Sequence, residues 1–345
     1  MTLKQIAAQA KVSISTVSRV LNGSVPNAAS QEVQARIWQI AQQGGYKPNK
    51  QAQALKRREK DEDTLRERPT IYCLAACHVE EVRDDPFFTQ LISSIEREAF
   101  RCGYLLEYSF LPTISVQDSV MRLIEKATSN RLIVLGRFDK QMYQTLNQHF
   151  NKLLYISWND LRFNCDSVLC DGYQAAQDAV AYLHKLGHKR IGFIGTEPTE
   201  ARCRGYLRGL EKLGLERNEK NIVYNRALSY ENGRRCLEQM VEQGMDATAI
   251  YCANDTTAIG VLGACKSLGI RVPEDLSILG CNDVETVQYV SPMLSSIHIP
   301  LDEMGRVAVH TLIDRVNGGH TLPLKIYLPY TIAKRESCGP PLPGK

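Results

Sequence analysis

The sequence predicts an all-helical helix-turn-helix head, residues 1–48, and an α/β body from residue 70 that contains two parallel-sheet subdomains. The first sixty residues show only helical periodicity, whereas beyond residue 69 short apolar runs alternate with amphipathic segments in two successive series. Strands that alternate with helices at this spacing are typical of parallel sheets covered by helices on both faces. The length of 345 residues also fits two or three domains better than a single core.

In the head, apolar residues at helical spacing predict three helices that share a small core. The predicted elements are helix Leu3–Ala10, a tight turn at Lys11–Ser13, helix Ser15–Asn22, and a helix from Ser30 to about Gln43. Ser13 and Ser30 are suited to cap the helices that follow them. This order is typical of a helix-turn-helix. An ordinary three-helix terminal bundle would fit the packing pattern equally well, so packing alone does not decide between the two.

The distribution of charge separates the head from the body. Residues 1–58 contain nine lysines and arginines against a single acid, Glu32, whereas the other 287 residues carry 33 bases and 37 acids. A small basic head on a mildly acidic body indicates that the head meets a polyanion. A terminus that only improves solubility is the alternative, and charge by itself does not exclude it.

Two short segments join the head to the body. Residues 46–55 read YKPNKQAQAL, a weak helix whose one large apolar residue, Leu55, has no evident packing partner, so we expect it to order on meeting a partner. Residues 56–69 read KRREKDEDTLRERP, and eleven of these fourteen residues are charged. This stretch is predicted to be a solvated linker or a short exposed helix.

In the body, the alternating pattern places strands and helices in two series. The predicted strands are 71–76, 104–108, 132–135, 153–156, 167–169, 190–194, 222–224, 249–252, 277–279, 295–299 and 326–330. The predicted helices are 87–102, 116–127, 173–186, 202–213, 230–243 and 255–268. The last two strands suggest that the chain crosses back between the subdomains.

Composition and motifs exclude several classes of protein. A hydrophobic content of 43% with 23% charged residues excludes general disorder, and no apolar run approaches the 18 residues of a membrane span. With no apolar signal core near the N-terminus, the eleven scattered cysteines are expected to be reduced thiols in a cytoplasm. We expect neither a cofactor nor a metal, since no second ligand pair accompanies Cys73, Cys77 and His78 at zinc-site spacing.

Motifs of common enzyme classes are also missing. No G-x-G-x-x-G follows the first strand, and neither a phosphate-binding lysine loop, a G-x-S-x-G turn nor H-E-x-x-H occurs. We therefore expect a protein that is not an enzyme.

Motifs along almost the whole chain resemble the LacI/GalR family of bacterial transcription repressors. They are TLKQIAAQAKVSISTVSRVLNG at 2–23, YKPN at 46–49, DDPFF at 84–88, LGHKRIGFIG at 186–195, RCRGY at 202–206, ANDTTAIG at 253–260 and DLSILGCND at 275–283. The resemblance implies a body like the periplasmic sugar-binding proteins. It implies a DNA-binding domain at 1–48, a hinge helix at 49–57, a linker at 58–69, one subdomain at 70–169 and 299–327, a second at 170–298 and 328–337, and a disordered tail at 338–345.

For DNA, the resemblance implies that the second helix enters the major groove. Ile14, Ser15 and Arg19 match the family's base readers, and an arginine fork can pair with guanine. Leu55 matches a wedge that enters the minor groove. The full implied contact set is Leu3, Ile14, Ser15, Thr16, Ser18, Arg19, Asn22, Asn49, Lys50, Ala52 and Leu55. The chain departs from the family at Lys11, where glycine is usual, and in the length of its charged linker.

For the effector, the resemblance implies a sugar in the cleft between the subdomains, and we expect a galactoside. Arg202, Asn254 and Asn282 match effector positions, although the family more often has Asp at the last of these. Planar Arg and Asn side chains suit vicinal hydroxyls. Three aromatic side chains are candidates to stack on the sugar ring: Phe87, Phe88 and Trp158. The two phenylalanines fit a place in the core equally well.

Three further expectations follow. Asp255 is predicted to cap the helix after it, and His184 and His188 are not expected to bind a metal. The resemblance, together with the need for two heads on a pseudo-palindromic operator, implies a homodimer that binds duplex DNA and no membrane. A sugar receptor without DNA binding is the alternative function, and it would require export and a dispensable head.

Overall fold

The computed structural model describes residues 1–22, 29–45, 68–76, 85–110, 116–136, 139–158, 163–225 and 227–343. The chain divides into two compact units, Met1–Glu67 and Arg68–Lys345, and each is described here by itself. Within these ranges no helix has the length and apolarity needed to cross a membrane.

The first unit contains the three predicted helices, α1 Leu3–Ala10, α2 Ile14–Asn22 and α3 Gln31–Gln43. Their apolar faces meet in one cluster of buried residues: Ile6, Ala7, Ala10, Val17, Val20, Leu21, Ile37 and Ala41. Ser30 caps α3, and the Ser13 hydroxyl accepts the Thr16 N–H at 3.1 Å in the first turn of α2. The prediction of a helix-turn-helix head is confirmed.

The turn between α1 and α2 uses a left-handed residue that is not glycine. Lys11 has φ 54° and ψ 44°, and its N–H points back to the carbonyls of Ala7 and Ala8. A side chain in this conformation is unfavourable because its Cβ crowds the backbone. Lys11 therefore carries the strain that glycine would avoid.

The second unit contains two six-stranded sheets. The first sheet has the order β11-β5-β4-β3-β1-β2, and all its pairs are parallel. Its strands are β1 Thr70–Ala76, β2 Leu105–Phe110, β3 Arg131–Gly136, β4 Lys152–Ser157, β5 Asp166–Cys170 and β11 Lys325–Leu328. Both faces of the central strands are buried, as parallel sheets require.

The second sheet has the order β12-β10-β9-β8-β6-β7. Only its edge pair β10–β12 is antiparallel; the other pairs are parallel. Its strands are β6 Ile191–Gly195, β7 Ile222–Tyr224, β8 Ala249–Cys252, β9 Ser277–Asn282, β10 Ser295–His298 and β12 Thr331–Ala333. The prediction of two parallel-sheet subdomains is confirmed.

Helices cover both sheets. They are α4 Pro86–Arg101, α5 Val116–Lys126, α6 Lys140–His149, α7 Gly172–Lys185, α8 Ala201–Lys212, α9 Tyr230–Glu242, α10 Asp255–Leu268 and α11 Leu301–Val316. The chain crosses from the second sheet to the first between β10 and α11, and it returns between β11 and β12. This places α11 against α4, on the first sheet.

Two helices and one strand were not predicted. In α11, buried Leu301, Met304 and Ala308 recur at helical spacing, so periodicity could have found this helix. The polar helix α6 buries only Leu146 and gives a much weaker signal. Strand β12 has three residues, which is too few for a pattern.

Two predictions about the body are wrong. The tail does not become disordered at residue 338, because the Gly339 N–H donates to Ser277 Oγ at 3.1 Å and the Cys338 thiol lies 3.1 Å from the Ile278 carbonyl. Asp255 does not cap α10. Asn254 takes that role, and its side chain accepts the N–H of Thr257 at 3.0 Å.

The structure describes ten of the eleven cysteines, together with His184 and His188. Ten cysteines are free thiols, most of them buried, and Cys77 and His78 lie outside the described residues. His188 is buried, with its ring nitrogens 2.9 Å from Thr248 Oγ1 and 3.1 Å from Ser277 Oγ. Burial lowers the pKa of His188, which keeps the ring neutral.

Candidate functional site

Helix α2 presents a mixed polar face on the surface of the first unit. Val17, Val20 and Leu21 turn inward, which leaves Arg19 exposed and Ile14 48% exposed on the outer side. An exposed isoleucine beside an exposed arginine has no packing role in the unit itself. This face has the size and chemistry to meet base edges in a groove.

The start of α2 is held by a small hydroxyl network. Ser13 Oγ lies 2.7 Å from Ser15 Oγ and 2.8 Å from Thr16 Oγ1. The network fixes the first turn of α2 and still leaves lone pairs and protons for a further partner. Leu3 is half-buried against the core, so its contact with DNA would be partial.

The charge of the described part of the head is almost all basic. Its one acid, Glu32, pairs with Arg36 one helical turn away, at 3.2 Å. Lys4, Lys11 and Arg19 are exposed. Asn49, Lys50, Ala52 and Leu55, the predicted hinge contacts, lie outside the described residues, and nothing is described of the side chain of Asn22.

In the second unit, Arg202 is a buried, hydrogen-bonded cation at the start of α8. Its Nε donates to Glu200 Oε1 at 3.1 Å, and its Nη1 donates to the Ala253 carbonyl. Both side chains of the pair are at most 6% exposed. Burial acts to lower the pKa of Arg202, but the Glu200 carboxylate, together with Cys281 and Tyr251, raises the pKa above its ordinary value. The Arg202 charge is thus already neutralised within the protein.

Asn254 joins the two sheets across the cleft. Its amide nitrogen donates to Asp85 Oδ2 at 2.9 Å and to the Leu228 carbonyl at 3.2 Å. Asp85 caps α4, which packs on the first sheet, whereas Asn254 caps α10 on the second sheet. A side chain that binds a ligand would first have to release this bond.

The end of β9 carries backbone strain. Asn282 and Asp283 have φ values of 114° and 57°, in the region that favours glycine. Asn282 is 3% exposed, and its Oδ1 has no hydrogen-bond partner among the described residues. A buried acceptor in a strained segment is typical of a site that serves a ligand.

The three predicted aromatic residues divide into two groups. Phe87 and Phe88 are each 9% exposed and pack edge to face with their centroids 5.3 Å apart, within the main core cluster. Trp158 follows β4 and is only partly buried, and the Arg202 guanidinium lies 5.6 Å from its ring centroid. Trp158 therefore lies beside Arg202, another of the predicted effector residues.

Two acidic residues of this region were missed, Asp85 and Glu200. Both precede a helix, and each is buried as the cap of that helix and as the partner of a predicted residue. A groove of about 790 Å³ lies elsewhere, along α4 and residues 298–303, and none of the predicted effector residues lines it. The cleft residues are instead engaged with one another.

Comparison with known proteins gives two family matches. A model described as bacterial regulatory proteins, lacI family, matches residues 2–49, and one described as periplasmic binding protein-like domain matches residues 180–338.

Relatives cover nearly the whole chain. The HTH-type transcriptional repressor MelR of Bacillus subtilis is 30% identical over 346 residues, 98% of this chain and 97% of that protein. The HTH-type transcriptional repressor CytR of Escherichia coli is 31% identical over 327 residues, 92% of this chain and 91% of that protein. Among solved structures, the transcriptional regulator CelR–cellobiose complex has a TM-score of 0.70 at 22% identity and covers 98% of this chain and 99% of its own. At that identity the likeness concerns the fold alone.

Proposed function

Because the chain belongs to the LacI family of bacterial regulatory proteins, we propose that it represses carbohydrate-utilisation genes by binding an operator and releasing or tightening its hold when a small sugar binds. The DNA-binding part of this proposal rests on the outer face of α2. There Ile14 and Arg19 are exposed, and the single acid of the head, Glu32, is paired with Arg36. A sugar receptor without regulatory DNA binding would have no use for such a face.

On DNA, α2 lies in the major groove. Arg19 pairs with a guanine, Ile14 contacts an apolar base edge such as a thymine methyl, and Ser15 offers a hydroxyl. Thr16, Ser18 and Asn22 contact phosphates, which set the position of the head without reading sequence. Leu55 acts as the minor-groove wedge of the hinge, with Asn49, Lys50 and Ala52 beside it.

Operator footprinting upstream of the chain's own gene, followed by gel shifts on that site and on random DNA, tests this proposal. Specific affinity should fall on the order of 10³-fold between low and moderate salt, because several phosphate contacts release counterions. Arg19→Ala should relax specificity at one base pair per half-site, whereas the matched control Lys4→Ala should weaken all sequences about equally. Salt-independent binding, or no retardation of DNA, would leave the receptor alternative as the better function.

The hinge has its own test. Leu55→Ala should reduce operator binding much more than random-DNA binding, because a wedge acts only where the central base step deforms. Equal losses on both DNAs would show that Leu55 only packs.

In the cleft, we infer that the ligand is neutral. The Arg202 charge is already matched by Glu200, and Asp85 adds a buried carboxylate, so a phosphorylated or carboxylated ligand would meet no free cation among Arg202, Asn254 and Asn282. Sugar hydroxyls can replace the Asp85–Asn254 bond and can donate to the unpartnered Asn282 Oδ1. Trp158 offers an apolar face to the ring.

We infer that the sugar is a galactoside. Within the family the chain resembles the repressor of the evolved β-galactosidase operon in the long loop between Asn22 and Ser30, in Asp85 before Pro86, and in Asn282. Calorimetry with galactosides, glucosides and a sugar phosphate tests both the class and the sugar. Trp158→Leu removes the ring face, which also contacts Arg202, but it keeps both members of the Arg202–Glu200 ion pair, and it should weaken sugar binding while operator binding stays intact. Tight binding of the sugar phosphate would contradict a neutral ligand.

The active form is proposed to be a homodimer in the cytoplasm, with two heads on a two-fold operator. The proposed domains are the head at 1–48, the hinge helix at 49–57, the linker at 58–69 and the two subdomains, which meet at 169/170, 298/299 and 327/328. Sedimentation of the full chain, with and without operator, tests the dimer.

A further inference from the structure

Helices α4 and α11 bring together three side chains that each offer a metal-ligand atom. Glu98 and Cys102 lie one turn apart on α4, and His310 faces them from α11, 212 residues after Glu98. One carboxylate oxygen, one thiol sulfur and one ring nitrogen all lie within 4.8 Å of one another. The sequence alone could not reveal this set, because its members are too far apart along the chain.

One of the distances between these atoms already fits a tetrahedral zinc site, and a second fits it after a small movement. His310 Nε2 lies 2.6 Å and Cys102 Sγ lies 3.8 Å from Glu98 Oε1. Around Zn²⁺ the bond lengths of this ligand set place nitrogen about 3.4 Å and sulfur about 3.6 Å from the carboxylate oxygen. The sulfur is already near that distance. The imidazole has to withdraw by less than 1 Å, which its half-exposed position on α11 permits.

The surroundings of Glu98 also suit a metal ligand. Arg101 Nε donates to Glu98 Oε2 at 2.9 Å, which fixes the plane of the carboxylate. Arg101 Nη2 donates to Oε1 at 2.7 Å, and this is the bond that an ion would replace. A second partner that orients the ligand is a common feature of metal sites. A divalent ion with one carboxylate and one thiolate is electrically neutral, so it can lie beside Arg101.

We propose that Glu98, Cys102 and His310 form a zinc-binding site that joins α4 to α11, with water as the fourth ligand on the exposed side of His310. A mixed thiolate, imidazole and carboxylate set selects Zn²⁺ over Mg²⁺ or Ca²⁺, which prefer oxygen ligands. The two helices matter for the body. Helix α4 begins beside Asp85, and α11 is the first element after the chain crosses from the second sheet. An ion between α4 and α11 links the segment where the chain crosses between the sheets to α4, the helix that starts at the cleft.

Cobalt and zinc titration of the full chain tests the site. Co²⁺ should give the near-ultraviolet charge-transfer band of a thiolate ligand, and Zn²⁺ should abolish it with one equivalent per chain. Cys102→Ser should lose the band, and His310→Gln should lose at least tenfold in zinc affinity, measured by competition with a chromophoric chelator. Zinc should raise the melting temperature of the parent chain but not that of Cys102→Ser.

Matched controls separate this site from other thiols and imidazoles. Cys338→Ser and His298→Gln change residues of similar exposure elsewhere in the second unit, and Cys77→Ser changes the cysteine nearest to His78 in sequence. All three should keep the band and the stoichiometry. If Cys102→Ser still gives the band, or if the parent chain binds no zinc at micromolar concentration, the proposal is wrong. Because binding is measured without DNA or sugar, its failure leaves the proposed repressor function untouched.

Discussion

Lys11 shows how a single backbone conformation affects stability. With φ at 54°, its Cβ costs energy that glycine would avoid. Lys11→Gly should stabilise the head by about 0.5–1 kcal/mol in urea unfolding of the 1–67 unit. Lys11→Ala removes the same charge but keeps the Cβ, so it should bring no such gain. Equal stability of the two variants would mean that charge, not conformation, dominates at this position.

Arg202 and Glu200 form a pair in which each partner depends on the other. Arg202→Ala leaves the Glu200 carboxylate buried without its partner, and we expect a loss of about 3–5 kcal/mol in unfolding free energy. The double variant Arg202→Met, Glu200→Gln removes both charges and should recover most of that loss. Urea denaturation of the three chains checks this. A double variant no more stable than the single one would show that the residual hydrogen bonds, and not the charge, dominate.

Asp255 is predicted to make stability depend on pH. Burial raises the pKa of this carboxyl to about 7, even though hydrogen bonds from Ser296 Oγ and the Val284 N–H favour the charged form. Between about pH 4 and 7 the folded chain therefore holds a proton that the unfolded chain has lost, so the contribution of Asp255 to stability falls as pH rises. Relative to Asp255→Asn, the unfolding free energy of the parent chain should fall by up to about 1.4 kcal/mol for each pH unit by which the pH rises in this window. Denaturation from pH 4.5 to 7.5 measures the difference, and parallel profiles would contradict it.

At the scale of elements, the C-terminal segment is bonded to the start of β9 and β10, two inner strands of the second sheet. The Ile278 N–H donates to the Ser337 carbonyl at 2.8 Å, and the Ser295 N–H donates to Ser337 Oγ at 2.8 Å. A chain that stops after Glu336 leaves both buried donors without these partners, so it should lose on the order of 3 kcal/mol. A chain that stops after Gly339 keeps them and should melt within a few degrees of the full chain. Equal melting of the two truncations would contradict this role.

Element prediction succeeded where one face of a segment is apolar. The helices of the head and every described strand except β12 were found within a few residues. Burial of one face gives the helices a period of 3.6, and the strands buried on both faces stand out as short apolar runs. Strand β9 runs to Asn282, three residues beyond its predicted end, because those residues continue the buried edge that pairs with β10.

At the scale of the whole molecule, sugar and operator are expected to change each other's affinity. A sugar that replaces the Asp85–Asn254 bond alters the contact between the two sheets, and it can shift operator binding only by its differential affinity for the two arrangements. Binding of one ligand should change the affinity for the other by a factor between about 5 and 150. Fluorescence titrations of operator with saturating sugar, and of sugar with saturating operator, should give the same factor. Unequal factors, or a factor of one, would contradict the linkage.

The sequence by itself determined the fold class and the basic head, and it predicted which residues line the cleft. Helical and strand periodicity follow from local burial, and the charge of the head is a matter of composition, so neither needs coordinates. The resemblance then predicted Arg202 and Asn254 as cleft residues.

Only the tertiary structure decided what these residues contact. Asp85 meets Asn254 although 169 positions separate them, and Glu200 is buried against Arg202, so neither acid was among the predicted site residues. The same holds for Glu98, Cys102 and His310, which the crossing of α4 and α11 brings together. The periodicity of a sequence indicates which side chains are buried. Contacts between residues that are distant in sequence depend on how the sheets and helices pack, and no local sequence pattern encodes this packing.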